Sequence, residues 1–89
     1  MKHIDIIVKG KVQGVFFRKF TQLKANELGV LGTVKNNEDS SVSIEAEGCD
    51  EDLKLFINWC HEGSPGTLVN EVLVEENECK NYTNFSIIR

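Results

Sequence analysis

Arg18 follows a short segment that contains two glycines, and this combination of residues is suited to binding an anion. Apolar residues at positions 4, 6 and 8 alternate with polar residues at 3, 5 and 9 over most of this run, which predicts a strand buried on one face. Gly10 and Gly14 then permit backbone conformations that a Cβ would forbid, so successive N–H groups can point into one concavity. A helix beginning near Arg18 would add the positive end of its dipole, and the guanidinium fork can bind two phosphate oxygens. The segment therefore predicts an anion cradle.

Two glycines four residues apart do not identify the anion. No Gly-Lys-Ser/Thr follows them, as it would in a Walker A loop, and the GxGxxG pattern is absent as well. The alternative interpretation is a tight connection from strand to helix whose arginine simply lies on the surface.

Asn36 is the second candidate for chemistry, because its carboxamide oxygen could orient a water molecule. It lies at the end of a predicted strand, just before a loop that contains Glu38 and Asp39. Apart from these two acids, neither segment offers a His, Cys or carboxylate as a base. From residue type alone, a turn-forming Asn is the competing interpretation.

Two segments of the chain resemble the signatures of a known family. Residues 8–18, VKGKVQGVFFR, resemble the first signature of the acylphosphatases, and residues 32–48, GTVKNNEDSSVSIEAEG, are similar to the second. The spacing between them, the Gly-Ser-Pro that begins at Gly63 and the closing Phe-Ser-Ile at 85–87 also fit. The resemblance thus covers nearly the whole chain.

The resemblance implies an enzyme, an acylphosphatase, that hydrolyses the carboxyl–phosphate bond of acyl phosphates without a metal or other cofactor. Arg18 falls on the family's phosphate-binding arginine and Asn36 on its water-binding asparagine, so both are predicted to be catalytic. The predicted phosphate-binding residues are continuous in sequence: Gln13, Gly14, Val15, Phe16, Phe17 and Arg18. The lack of a general acid suits this substrate, since the carboxylate that leaves has a conjugate acid with a pKa of about 4.

The second segment departs from the family pattern at two positions. Thr33 stands where the family usually has an aromatic residue, and Ser40 stands where it usually has the turn glycine. These departures concern local packing and turn geometry more than the active groups.

Apolar periodicity predicts an α+β fold with the order β-α-β-β-α-β and a short C-terminal strand. The expected elements are a strand through Val8, a helix over 18–28, a hairpin of 33–36 with 41–47, a helix capped by Asp50 and ended by Gly63, and strands over 69–75 and 84–88. Ser43, Glu45 and Glu47 are expected on the wet face of the hairpin. This order predicts a ferredoxin-like split βαβ arrangement, an antiparallel sheet with two helices on one face.

Length and composition predict one domain over residues 1–89, with 40% hydrophobic and 27% charged residues. Charge is uneven: residues 1–36 carry seven Lys/Arg against two acids, and the remainder carries three against twelve. The basic half suits a small anionic substrate, whereas the acidic balance disfavours nucleic acid. With no apolar run long enough for a membrane and no signal-like N-terminus, we expect a cytoplasmic monomer without a membrane partner.

The cysteines and histidines do not indicate a metal site. Cys49, Cys60 and Cys79 lack ligand spacing, and Cys60 falls on an apolar helix stripe as a small buried hydrophobe. His3 and His61 have no Cys or His partner at ligand spacing.

Two other functions compete with the enzyme. One is a non-catalytic phosphate- or anion-binding domain that uses the same cradle. The other is a single-stranded RNA module, since RNA-recognition domains share this topology; it is disfavoured because acids dominate the expected open face of the sheet.

Overall fold

A computed structural model describes the whole chain, residues 1–89. The elements follow the predicted order: β1 (Lys2–Lys11), α1 (Phe17–Leu28), β2 (Leu31–Asn36), β3 (Val42–Gly48), α2 (Asp50–Glu62), β4 (Leu68–Asn77) and β5 (Phe85–Ile88). The predicted split βαβ arrangement is confirmed. No helix combines the length and the apolar character that crossing a bilayer requires.

The five strands form one sheet in the order β4-β1-β3-β2-β5. Four of the strands pair antiparallel, as predicted, but β5 pairs parallel to β2, with Val34 opposite Ile87, so the sheet is mixed. The reason lies in the connection: β4 and β5 occupy opposite edges, and the chain crosses the sheet at one end before it enters β5. The C-terminal strand therefore runs in the same direction as β2.

Both helices pack on the same face of the sheet, over its alternating apolar residues. The buried hydrophobic core has these members: Ile4, Ile6, Val8, Val12, Phe17, Ala25, Val30, Val34, Val42, Ile44, Ala46, Leu53, Phe56, Cys60 and Phe85. Trp59 stacks on Phe17 with 5.5 Å between ring centroids and joins the two helices. Burial raises the pKa of the Cys60 thiol to about 12, which agrees with its prediction as a buried hydrophobe.

The predicted cap of the second helix is wrong. The residue before α2 is Cys49, and no side-chain hydrogen bond caps the helix there. Asp50 instead forms an ion pair with Lys2 at 2.9 Å, so its carboxylate is directed at the neighbouring strand rather than at the helix N–H groups. The negative charge expected in the first turn of α2 is present.

The face of the sheet opposite the helices is less exposed to solvent than the alternation of apolar and polar residues in β3 predicts, because Glu47 is fully buried. Residues 78–84, which we call the strap, cross the sheet over this end. Glu47 accepts hydrogen bonds from the N–H groups of Lys80 and Tyr82, and His3 Nδ1 donates to it at 2.7 Å. His3 Nε2 lies 2.8 Å from Asp5 Oδ1. Because ionised carboxylates only accept hydrogen bonds, both ring nitrogens donate when His3 is protonated, and the imidazolium then pairs with both acids.

We predict that Glu47→Gln lowers the free energy of unfolding by about 3 kcal/mol near pH 6, since it removes one partner of a buried ion pair. Burial alone would lower the pKa of His3, but the hydrogen bonds to Glu47 and Asp5 outweigh it and raise that pKa. The stabilisation by the pair of His3 and Glu47 is therefore complete below the pKa of about 6.5 that His3 has in the unfolded chain. It is lost as pH rises through the higher pKa that His3 has in the folded protein. Urea unfolding at pH 6 and pH 9 measures both effects.

The control for this prediction is Glu45→Gln. Glu45 is a neighbouring acid on the same strand, and its Oε1 lies 2.6 Å from Lys80 Nζ and 3.6 Å from His3 Nε2. Because the Glu45 side chain stays partly exposed and makes the longer of the contacts to His3, its loss should cost about 1 kcal/mol or less. Equal costs for the two variants, or a cost for Glu47→Gln that does not shrink toward pH 9, would contradict the charged pair.

Candidate active site

The cradle loop, residues 12–16, connects β1 to α1 through alternating backbone handedness. Gly14 has φ 75° and Phe16 has φ 61°, whereas Val15 between them keeps the usual negative φ. A Cβ on Gly14 would meet no atom within 4 Å, so this position favours glycine for its conformation and not for space. Alternation of this kind can turn successive N–H groups toward one side, a geometry that is able to bind an anion.

The N-terminus of α1 directly follows this loop. No side chain caps the helix, its first turn contains no acid, and the N–H groups of residues 14–19 make none of the loop or cap hydrogen bonds. The first N–H groups of an α-helix have no acceptor within the helix, and the helix dipole makes this end positive. Free donors and a positive dipole end thus meet at one place.

Phe16 is strained and exposed at the same time. A left-handed conformation costs a residue with a Cβ about 1 kcal/mol, and the Phe16 side chain is 80% exposed. Neither packing nor solvation favours this arrangement. Strain of this kind collects at binding sites, and Phe16 lies directly before the first residue of α1.

Arg18 lies in the first turn of α1 with its guanidinium free of any carboxylate. Its single hydrogen bond to protein is a long one of 3.4 Å, which Nη1 donates to the Ile88 carbonyl of β5. The remaining donors of the fork are available to a ligand.

Asn36 ends β2 opposite Val42 of β3, and it lines the same cleft as Arg18. The cleft has a volume of about 450 Å³. Six of the seven predicted site residues line it: Gln13, Gly14, Phe16, Phe17, Arg18 and Asn36. The seventh, Val15, does not, since its side chain packs against the hydrophobic core.

The hairpin that presents Asn36 is held by polar contacts at its tip. Asn37 Nδ2 donates to the hydroxyls of Ser41 and Ser43 at 2.9 and 2.7 Å, and Asp39 accepts from the Ser41 N–H. Ser40 has φ 76°, so the position where the family usually has glycine does require a left-handed residue.

Sequence reasoning missed four further cleft residues: Val12, Lys19, Ile87 and Arg89. Lys19 follows Arg18 directly, and its place in the first helical turn was the available signal. Ile87 and Arg89 reach the cleft only because β5 pairs parallel to β2, which no local pattern reveals. The complete lining contains three cations and no His, Cys, Asp or Glu.

A second group of polar side chains lies at the other end of β1. His3, Asp5 and Glu45 bring their donor atoms within 4.8 Å of one another, as metal ligands can. The Lys80 ammonium stands 2.6 Å from Glu45 Oε1, however, and His3 already donates to both Asp5 and Glu47. The side chains of this cluster are thus paired with one another and with Lys80, and the cluster is separate from the cleft.

The acylphosphatase family model matches residues 4–87 of the chain. An acylphosphatase from Shewanella amazonensis is 50% identical over 98% of this chain and 97% of its own length. An acylphosphatase from Thermotoga petrophila is 46% identical over 98% and 97%. The crystal structure of acylphosphatase from Bacillus subtilis superimposes with a TM-score of 0.97 at 39% identity and covers both chains completely.

The matches span the chain and include both segments that line the cleft. The chain belongs to the acylphosphatase family, and the expected enzyme class is confirmed.

Proposed function

We propose that this protein hydrolyses acyl phosphates to a carboxylate and inorganic phosphate, by in-line attack of a water molecule that Asn36 orients. In this proposal the Arg18 fork and the N–H groups of residues 13–18 bind the phosphoryl oxygens. Family membership supports the reaction, and the shared cleft of Arg18 and Asn36 supports these two roles. We also propose that the substrates are small acyl phosphates and that the protein is a monomer located in the cytoplasm.

The observation that carries the proposal is the chemistry of the cleft lining, which has three cations, one carboxamide besides Gln13 and no acid. An alkyl phosphate would expel an alkoxide and would need a proton donor. An acyl phosphate expels a carboxylate, whose conjugate acid has a pKa of about 4, so no donor is needed. Positioning and charge neutralisation then supply most of the catalysis.

The reaction balances without a protein base. The water oxygen forms a bond to phosphorus while the bond from phosphorus to the acyl oxygen breaks, and its electron pair leaves with the carboxylate. The water's proton passes to an oxygen of the substrate phosphoryl group. We therefore propose that Asn36 acts by orientation and Arg18 by binding the phosphoryl charge, with no metal ligand needed in the cleft.

The test is turnover of benzoyl phosphate, a generic acyl phosphate, by the purified protein before and after exhaustive EDTA treatment. We expect hydrolysis well above the spontaneous rate, with kcat/KM unchanged by EDTA. Restoration of a lost activity by a divalent ion would contradict metal independence. Binding of inorganic phosphate without any turnover would favour the anion-binding domain instead.

A further inference from the structure

We infer that the side chain of Gln13 is a positioning residue, which holds the hairpin that carries Asn36 against the cradle loop. The inference rests on the proposed function, because it gives Asn36 its place relative to a bound phosphoryl group. It assigns to the Gln13 carboxamide a task distinct from that of the Gln13 backbone N–H.

The geometry of the contact is specific. Gln13 Nε2 donates to the carbonyl of Asn37 at 2.9 Å and to the carbonyl of Ser41 at 2.8 Å, so both of its protons are used. Asn37 directly follows Asn36, and Ser41 directly precedes Val42, the residue paired with Asn36. One carboxamide therefore donates hydrogen bonds to both sides of the hairpin next to Asn36.

The sheet itself does not provide this connection. Pairing between β1 and β3 ends at Val8 opposite Val42, and beyond Val8 the strand β1 pairs only with β4. A register shift between Lys9 and Gly10 marks the place where β1 changes course. The cradle loop thus separates from the hairpin, and Gln13 makes the only side-chain hydrogen bonds between them.

Asn36 depends on this connection, since its own side chain makes no hydrogen bond to the protein. The polar contacts at the hairpin tip, among Asn37, Asp39, Ser41 and Ser43, are internal to the hairpin and do not reach the cradle loop. Gln13 therefore contributes directly to the distance between Asn36 and a phosphoryl group in the cradle. A misplacement of 1 Å in such a site can cost about 10²-fold in rate.

Gln13→Ala should lower kcat for benzoyl phosphate by about 10-fold or more, while the Kd for inorganic phosphate changes little, because the loop N–H groups and Arg18 remain. Gln13→Met provides a second variant that keeps about the same side-chain volume but lacks the donor and adds no charge, and it should behave in the same way. The matched control is Gln22→Ala, which removes another bond from a Gln side chain to a backbone carbonyl, 3.0 Å to Phe85, away from the hairpin. It should leave kcat unchanged.

A double-mutant cycle separates positioning from general damage. Once Asn36 is alanine, no carboxamide is left to position, so adding Gln13→Ala to Asn36→Ala should reduce kcat no further. Additive losses would overturn the inference, and so would a Gln13→Ala enzyme that matches Gln22→Ala in kcat. Failure of the wild-type protein to turn over benzoyl phosphate would instead contradict the proposed function, so the two failures are distinguishable.

Discussion

Arg18→Ala is expected to lower kcat/KM for benzoyl phosphate by about 10³-fold or more and to abolish measurable binding of inorganic phosphate. In phosphoryl transfer, an arginine that stabilises the transferred group contributes about 10³ to 10⁵ in rate. The Arg18 guanidinium lines the cleft without a carboxylate partner, so no acid of the protein neutralises its charge. Steady-state kinetics and phosphate titration by calorimetry measure the two effects.

Arg18→Lys should recover little of this loss. A lysine restores the charge but not the planar fork, which can bind two oxygens at once. Lys24→Ala is the control, because it removes a positive charge from the same helix at a residue that pairs with Glu27 outside the cleft. Near-wild-type kinetics in either Arg18 variant would show that the loop N–H groups bind the phosphoryl group without it.

Asn36→Ala is expected to lower kcat by about 10²-fold or more, as does the loss of one preorganised polar group in other active sites. Binding of inorganic phosphate should change little, since Asn36 in our proposal contacts the attacking water and not the phosphoryl oxygens. Asn70→Ala, an exposed asparagine of β4 outside the cleft, serves as the control. If kcat held while KM rose, Asn36 would be a binding group.

The local elements could be predicted from the sequence because they depend on periodicity and on terminal residues. The apolar stripe Leu53, Phe56 and Cys60 lies buried in α2, and Gly29 ends α1 with φ 72°. The resemblance of two segments to the family signatures also predicted Arg18 and Asn36 as site residues, and the fold brings both into one cleft.

What could not be predicted depends on contacts between distant parts of the chain. Glu47 looks like a surface residue in a strand that alternates, and only the strap 33 residues later makes it a buried acceptor. Segments far apart in sequence are likewise joined by the parallel pairing of β5 with β2 and by the hydrogen bonds from Gln13 to the hairpin. Asp50 has the residue type of a cap, but it is the first residue of α2 and its carboxylate pairs with Lys2 of β1.

Ser40 shows what a departure from the family pattern means in physical terms. Its φ of 76° is a conformation that glycine adopts without strain, so the hairpin tip stores about 1 kcal/mol at this residue. The surrounding contacts of Asn37, Asp39 and Ser41 hold the turn in place despite this cost. The departure thus lowers the stability of the turn, while the turn keeps the left-handed conformation that a glycine would adopt.

The path of the strap also determines which end of the chain can carry an attached group without blocking the cleft. Because it delivers β5 to the far edge, Ile87 and Arg89 form part of the cleft wall, whereas Met1 lies at the opposite end of β1 from the cradle loop. A surface tether or fluorescent dye attached beside Met1 would leave the cleft mouth clear. The same group attached next to Arg89 would stand in the path of an arriving substrate.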